Sequence, residues 1–390
     1  MKSTKISELP IVPENYAVDT YERISDMDLS ILMTETERRF INGLIKYYEP
    51  ENIIELGVHR GGGTVNILNA ASESSRVVSI DKATDGVQYD WIQYDKTCRI
   101  GEILTEKYPN FKKDNWKLIT GKDPSEVMDE LNMKFDFAVI DTAHIHPCET
   151  LNFISILPYM NDGAIVIMHD IVNYIDEELQ YAPRLLMSAV CAEKMLLRSY
   201  EPRPFPNIVA FQITQDTRKY IQGVFDVLAF PWAYFNRKDI SNVYNLVKTH
   251  YTHKQILTFE MAVNINKYLA LRTLTGTYDK LIIENVFKNL NKDTIFYGAG
   301  QKCNAMLEFL LDFDIEFNFQ IWDMNADNIK KIFDKPVILP NFETKARLGQ
   351  IMVITIDGKK IADSIRKQFE PLGYIVYHGI KSLFSEMARS

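Results

Sequence analysis

Cysteine is scarce in this chain, basic runs are missing and no apolar stretch is long; each shortage excludes a class of protein. Cys98, Cys148, Cys191 and Cys303 lie far apart and form no CxxC pair, which argues against a zinc ribbon or a dithiol redox motif and leaves free buried thiols. With 17 glycines and 15 prolines in 390 residues, a fibrous or largely disordered chain is not expected. No stretch of about 18 uncharged apolar residues could span a bilayer. The opening MKSTKISELPIVPENY lacks the apolar core of a signal peptide, so a cytoplasmic location without a membrane span is expected. Lys and Arg number 44 against 52 Asp and Glu, a net charge of −8, and nucleic acid is not an expected partner.

What is present is an ordinary globular composition, 46% apolar and 25% charged, in a chain long enough for two cores. Asp26 and Asp28 precede a helical pattern through Leu32, Phe40, Leu44 and Tyr47 that stops at Pro50, so residues 1–50 read as a helical arm or lid. Short apolar runs then end in Gly or Asp, each before a helical stretch: NIIELG, VVSID, KLITG, FDFAVID and AIVIMHD. This alternation predicts a doubly wound, mostly parallel α/β sheet over residues 51–235, with MLLRSY and NIVAFQIT as a closing strand pair around the Pro-rich EPRPFP. Residues 236–290 read as a helical connector. Over 291–390 the pattern restarts with TIFYGAG, FQIWD, IMVITID and YIVYHG, which predicts a smaller, Rossmann-like α/β domain.

The segment IIELGVHRGGGTVNIL, Ile53 to Leu68, runs from a strand through a glycine loop into a helix. Gly57 permits the sharp exit from the strand. Gly61 to Gly63 remove Cβ atoms where a ligand would press on backbone N–H groups. The next strand ends at Asp81, the spacing at which a doubly wound fold presents a carboxylate to ribose hydroxyls; a solvated turn aspartate is the plainer reading. The glycine spacing is not GxGxxG, and Glu55 lies two residues before Gly57. A carboxylate there attracts the ammonium of an amino-acid moiety and repels a pyrophosphate, which favours S-adenosylmethionine over NAD.

ELGVHRGGGT resembles the E-x-G-x-x-x-G-G-S first motif of class I methyltransferases, with Gly63 where serine is usual and Thr64 following. Over roughly residues 50 to 235 the chain is most similar to the sugar and antibiotic O-methyltransferases grouped with the cephalosporin-hydroxylase-like proteins. The resemblance implies that Glu55, Gly57, Gly61 and Gly62 line the methionine and ribose part of the cofactor, with Thr64 beside them, and that Asp81 binds the ribose. LITGKDPSEV takes the adenine-side position, which implicates Gly121 and Asp123.

FDFAVID delivers Asp141 to the carboxyl edge of the sheet, followed by Thr142, His144 and His146, and AIVIMHD delivers His169 and Asp170 there. Methyl transfer to a hydroxyl needs the acceptor in line and relieved of its proton, and neutral histidine suits that task. Related families carry D-G-x-H-x-Y and then a strand ending in H-D, E-D or D-D; Asp141, His144 and Asp170 match, while Thr142 and His146 depart. In metal-dependent members the acids at these positions hold Mg²⁺, which here implicates Asp141, His169 and Asp170. Histidine is a poor ligand for a hard cation. A Mg²⁺-type site, a metal-free site with His144 as base assisted by Asp141, and a structural cluster all stay open; His146 reads equally as a surface loop residue.

In the C-terminal unit Gly298 and Gly300 stand at a strand-to-helix turn, Asp323 ends the next strand, and Cys303 replaces the third glycine of GxGxxG. It resembles small Rossmann-like domains of surface-glycan and nucleotide-sugar metabolism. A structural or homo-oligomerising role and a nucleotide or sugar-nucleotide site are both readings of it. The leading function is methyl transfer from S-adenosylmethionine to a hydroxyl of a sugar, glycan or natural-product precursor. The alternatives are an NAD(P)-dependent oxidoreductase or epimerase of nucleotide sugars, and a non-catalytic binding protein of a glycan-assembly system.

Overall fold

Strands form where short apolar runs end in glycine or aspartate. The structure is a computed structural model that describes residues 2–29, 31, 33–84, 99–111, 114–172, 181–198, 205–233, 237–276, 286, 294–300, 302–304, 306–307, 319–332, 335–356 and 358–387. In the first unit β1 (Asn52–Leu56), β2 (Arg76–Asp81), β3 (Trp116–Thr120), β4 (Phe135–Ile140) and β5 (Met160–His169) pair in parallel. β7 (Ile208–Gln212) joins β5 and β6 (Lys194–Leu196) antiparallel. The order is β3-β2-β1-β4-β5-β7-β6, the doubly wound, mostly parallel sheet expected of a class I methyltransferase-like fold. The direction of the order reverses between β1 and β4, which opens a crevice at their carboxyl ends. β4 is buried along its whole length, as a central parallel strand covered on both faces must be.

The N-terminal segment, expected as a helical arm or lid, packs into the core of the first unit. Ile6, Tyr21, Ile24, Phe40, Leu44 and Tyr48 share one core with Ile53, Val65, Val77 and Phe137 of the sheet and its first helix. Enough large apolar side chains lie on one face of this segment to make burial the favoured state. The main helix of the segment, Glu35–Tyr48, begins at Thr34 and not at Asp26 or Asp28, because Thr34 and Glu37 form a reciprocal capping box. Leu32 lies outside the described residues.

Chain contacts divide the molecule into one unit of Met1–Tyr234 with Lys238–Val263 and another of Phe235–Arg237 with Asn264–Ser390. The segment read as a connector holds the helices Arg237–His250 and His253–Thr275, and residues 277–285 and 287–293 lie outside the described residues. In the second unit β8 (Thr294–Tyr297), β9 (Phe319–Trp322), β11 (Lys335–Ile338), β12 (Ile351–Ile354) and β13 (Ile375–His378) are parallel, and β10 (Lys331–Ile332) closes a hairpin with β11. The order is β10-β11-β9-β8-β12-β13. Cys148, Cys191 and Cys303 are free thiols, while Cys98 falls outside the described residues. Among the described residues no helix is long and apolar enough to cross a membrane.

Phe40 is fully buried in the shared core. Phe40→Ala should cost the first unit about 3–5 kcal/mol, by lost transfer and the cavity left behind. A urea titration followed by the first unit's transition reads this directly; an unchanged midpoint would mean the N-terminal segment packs only peripherally.

Candidate active site

Protein contacts fix the glycine loop after β1 at several points. Gly57 (φ 88) and Gly61 (φ 93) both adopt left-handed backbone that a side chain would strain. A Cβ at Gly57 would lie 1.9 Å from the carbonyl oxygen of Asp141, and one at Gly62 would lie 2.2 Å from that of Leu29. Close approach of the chain's own backbone therefore demands glycine at Gly57, where the sequence suggested a sharp exit from the strand, and at Gly62, where it suggested room for a ligand. Gly61 stands at the N-cap of the helix Gly62–Ala70 and contributes no side-chain cap, so the first-turn amides face the carboxyl edge of the sheet.

Asp81, at the end of β2, accepts from the amides of Val58 and His59 through Oδ2, both at 2.9 Å, and from Ala83 through Oδ1 at 2.8 Å. The carboxylate thus joins the loops after β1 and β2. Glu55 is buried beneath the helix start rather than exposed at the loop. Its Oε2 accepts from Thr64 Oγ1 at 2.7 Å and from Ser79 Oγ at 2.6 Å, and Ser79 in turn accepts from Trp116 Nε1. Burial pushes its carboxyl up to about 7, against the opposing pull of those two hydroxyls. The hydroxyl of Thr64 is engaged by Glu55. On the next strand end Gly121 (φ 68) bonds Ala83. Asp123 caps the helix Pro124–Leu131, accepting from Ser125 N and Oγ, and burial raises its carboxyl pKa.

The acids and histidines do converge. His144 Nε2 lies 3.2 Å from Asp170 Oδ2 and 3.7 Å from Asp141 Oδ1. One ligand atom each from Asp141, His144 and Asp170 fall within 4.8 Å of one another. His169, expected in that set, stands behind it: Nδ1 is 3.3 Å from Asp141 Oδ1 and 3.4 Å from Asp170 Oδ2, and Nε2 is 3.4 Å from Glu37 Oε2. Burial alone would lower the pKa of His169, but Asp141 and Asp170 override it and hold the ring well above its ordinary value. Burial likewise opposes ionisation of Asp170. The charge of His169 and the contacts of His144 and Asn207 prevail and keep it below the ordinary carboxylate range. His144 (φ 60) and Asp170 (φ 54) both occupy left-handed backbone, a strain of order 1–3 kcal/mol each that surrounding contacts must sustain.

Four further residues set this geometry. Glu149 Oε1 accepts from the amide of His144 at 2.6 Å and from Thr142 Oγ1 at 3.0 Å, and Asn152 also reaches Thr142. Asn207 Nδ2 donates to Asp170 Oδ1 at 2.6 Å. Glu37 brings the N-terminal segment to His169. The Thr34-x-x-Glu37 capping box was readable in the sequence, though not its reach to the site; Glu149, Asn152 and Asn207 carry no local signal. His146 is buried rather than on the surface, and burial lowers its pKa to about 4.

Residues 54–171 match a family model described as a methyltransferase domain. No curated protein matches the chain. Similar solved structures include an O-methyltransferase from Bacillus cereus in complex with SAH, 17% identical, covering 50% of this chain and 90% of that one at a TM-score of 0.36. TomG from Streptomyces achromogenes, an O-methyltransferase of tomaymycin synthesis in complex with SAM, is 13% identical over 53% of this chain and 91% of its own, at 0.36. SAH-bound PaMTH1 from Podospora anserina is 13% identical over 52% and 88%, at 0.35. Likenesses at these identities and scores carry no argument about the chemistry of this chain.

The raised carboxyl of Glu55 links stability to pH. Its folded pKa of about 7 lies above the reference value of 4.5, so the native state holds the proton more tightly and stability falls as pH rises across that window. Glu55→Gln keeps an acceptor for Thr64 and Ser79 without the charge. It should gain up to about 3 kcal/mol over the parent at pH 8 and little at pH 4. Urea melts at the two pH values check this; an equal difference at both would show that Glu55 ionises normally.

Proposed function

We propose that the first unit transfers the methyl group of S-adenosylmethionine to a hydroxyl, and that the acceptor is a sugar or a glycan or natural-product precursor. One observation carries the reading. The loop that would hold the cofactor and the strand end that begins the acid and histidine cluster are in direct contact: Asp141 N donates to Leu56 O at 2.9 Å, and Gly57 lies against the carbonyl of Asp141. A ligand on the loop therefore presents its far end to Asp141 and His144. The capless start of Gly62–Ala70 suits the carboxylate of an amino acid.

The cofactor supplies a methyl group on a positively charged sulfur. The protein's part is to orient the acceptor and take its proton. His144 is positioned for that by Asp170 and, through its amide, by Glu149, and the neighbouring carboxylates stabilise the charge an imidazole gains on protonation. Asp141, the most exposed of the cluster carboxylates, is placed to hold an acceptor hydroxyl. A divalent cation would be held by Asp141, His144 and Asp170, and an imidazole in that set matches a transition ion better than Mg²⁺. His169 lies between Asp141 and Asp170, and those carboxylates favour its charged form.

His144→Ala should lower turnover by about 10² to 10⁴ while S-adenosylhomocysteine still binds, and EDTA should leave the parent's activity intact. These are read as initial rates of methyl transfer to hydroxylated acceptors, with calorimetry for the homocysteine ligand. Full activity in the variant would remove His144 from the reaction. Loss on chelation with recovery on Mn²⁺ or Mg²⁺ would assign the cluster to a cation.

A further inference from the structure

The match to a methyltransferase domain ends at residue 171, yet the first unit continues through Lys238–Val263. The helix Arg237–His250, in the segment read as a connector, buries Ile240, Val243, Leu246 and Val247. Their spacing is that of one helical face. At the far end His250 Nε2 lies 2.9 Å from both the Tyr159 hydroxyl and Asp129 Oδ1, and the Tyr251 hydroxyl donates to Ile154 O at 2.6 Å. Apolar packing and these polar contacts together fix the helix on the first unit.

The near end brings charge to the carboxyl edge of the sheet. Asp239, buried in the first turn, pairs through Oδ2 with Nζ of Lys82, the residue after Asp81. Lys238 Nζ lies 3.2 Å from Glu126 Oε1, and Glu126 Oε2 accepts from Asp123 N at 3.1 Å. The helix start thus grips the loops after β2 and β3, which Gly121 N also joins by donating to Ala83 O at 3.0 Å. Burial raises the carboxyl pKa of Asp123; Lys82 pulls it down and Asp239 pushes it up, so all three lie in one another's field. A lysine ammonium on its flexible stem can change partners. With Asp239 charged, Lys82 is held; with Asp239 neutral, Asp123 is a carboxylate in reach of the same ammonium.

We infer that Asp239 is a positioning residue of the cofactor site: it retains the ammonium of Lys82 and so keeps the carboxyl of Asp123 open to the adenine end of S-adenosylmethionine. This rests on the methyl-transfer reading of the first unit, which is what brings adenine to the loop after β3. The helix Arg237–His250, outside the matched residues, then sets cofactor affinity through a charge it withholds from the site.

Asp239→Asn preserves the size of the side chain and removes its charge. In calorimetric titrations of the full chain, S-adenosylhomocysteine should bind this variant about tenfold more weakly than the parent. Adding Lys82→Met, which keeps an unbranched stem and removes the ammonium, should return the affinity to within about threefold of the parent. A purely structural role for Asp239 predicts no such return, because the second change leaves the helix start no better held. Affinity unchanged or tighter in Asp239→Asn would overturn the inference, as would a loss that Lys82→Met does not relieve. In either case binding by the parent leaves the reading of the first unit standing, whereas a parent that does not bind S-adenosylhomocysteine would remove both.

Discussion

The carboxylate of Asp81 is the constraint on which the first unit's site depends. It takes three backbone amides, from Val58, His59 and Ala83, and so joins two loops that no regular ladder would hold together. Bonds of an ionised acceptor to N–H groups are the stronger kind, and the residue is nearly excluded from water. With the loop after β1 held, Gly57 can press on the carbonyl of Asp141, and that contact sets where the acid and histidine cluster begins. A ribose at this edge meets a carboxylate already engaged in shaping the loop. Asp81 thus shapes the loop that is proposed to hold the cofactor.

Charge is balanced around the cluster by enclosure. Glu37, Asp141, Glu149 and Asp170 surround two imidazoles, and burial opposes ionisation of His169, Asp170 and Glu149. Asp170 stays ionised because His169, His144 and Asn207 outweigh burial, whereas burial prevails at Glu149 and raises it. The N-terminal segment is part of this balance through Glu37, which explains why a segment outside the matched residues 54–171 shares their core. Left-handed backbone at His144 and Asp170 marks the place where the fold sustains strain to aim side chains.

The strands were legible because each central one is a short apolar run with a terminal Gly or Asp, and β1, β2, β4 and β5 all lie where NIIELG, VVSID, FDFAVID and AIVIMHD predict. The convergence of Asp141, His144 and Asp170 was legible for the same reason, since neighbouring parallel strands deliver their carboxyl ends to one edge. What local pattern could not reveal was depth. Glu55 looked like a loop-entry acid and is buried under Thr64 and Ser79. Gly57 and Gly62, which the resemblance implies as cofactor contacts, also lie against the backbone of Asp141 and Leu29. Exposure depends on tertiary neighbours, and so does the long reach of Glu37 to His169, which a capping motif does not encode.

If the first loop takes an adenosyl amino acid whose sulfur faces the histidine cluster, a crystal structure of the full chain grown with S-adenosylhomocysteine will show it. The amino-acid end should lie at the start of Gly62–Ala70, the ribose at the end of β2 and the sulfur toward Asp141 and His144. An empty first crevice, or the ligand bound only at the turn of the second unit, would contradict this reading.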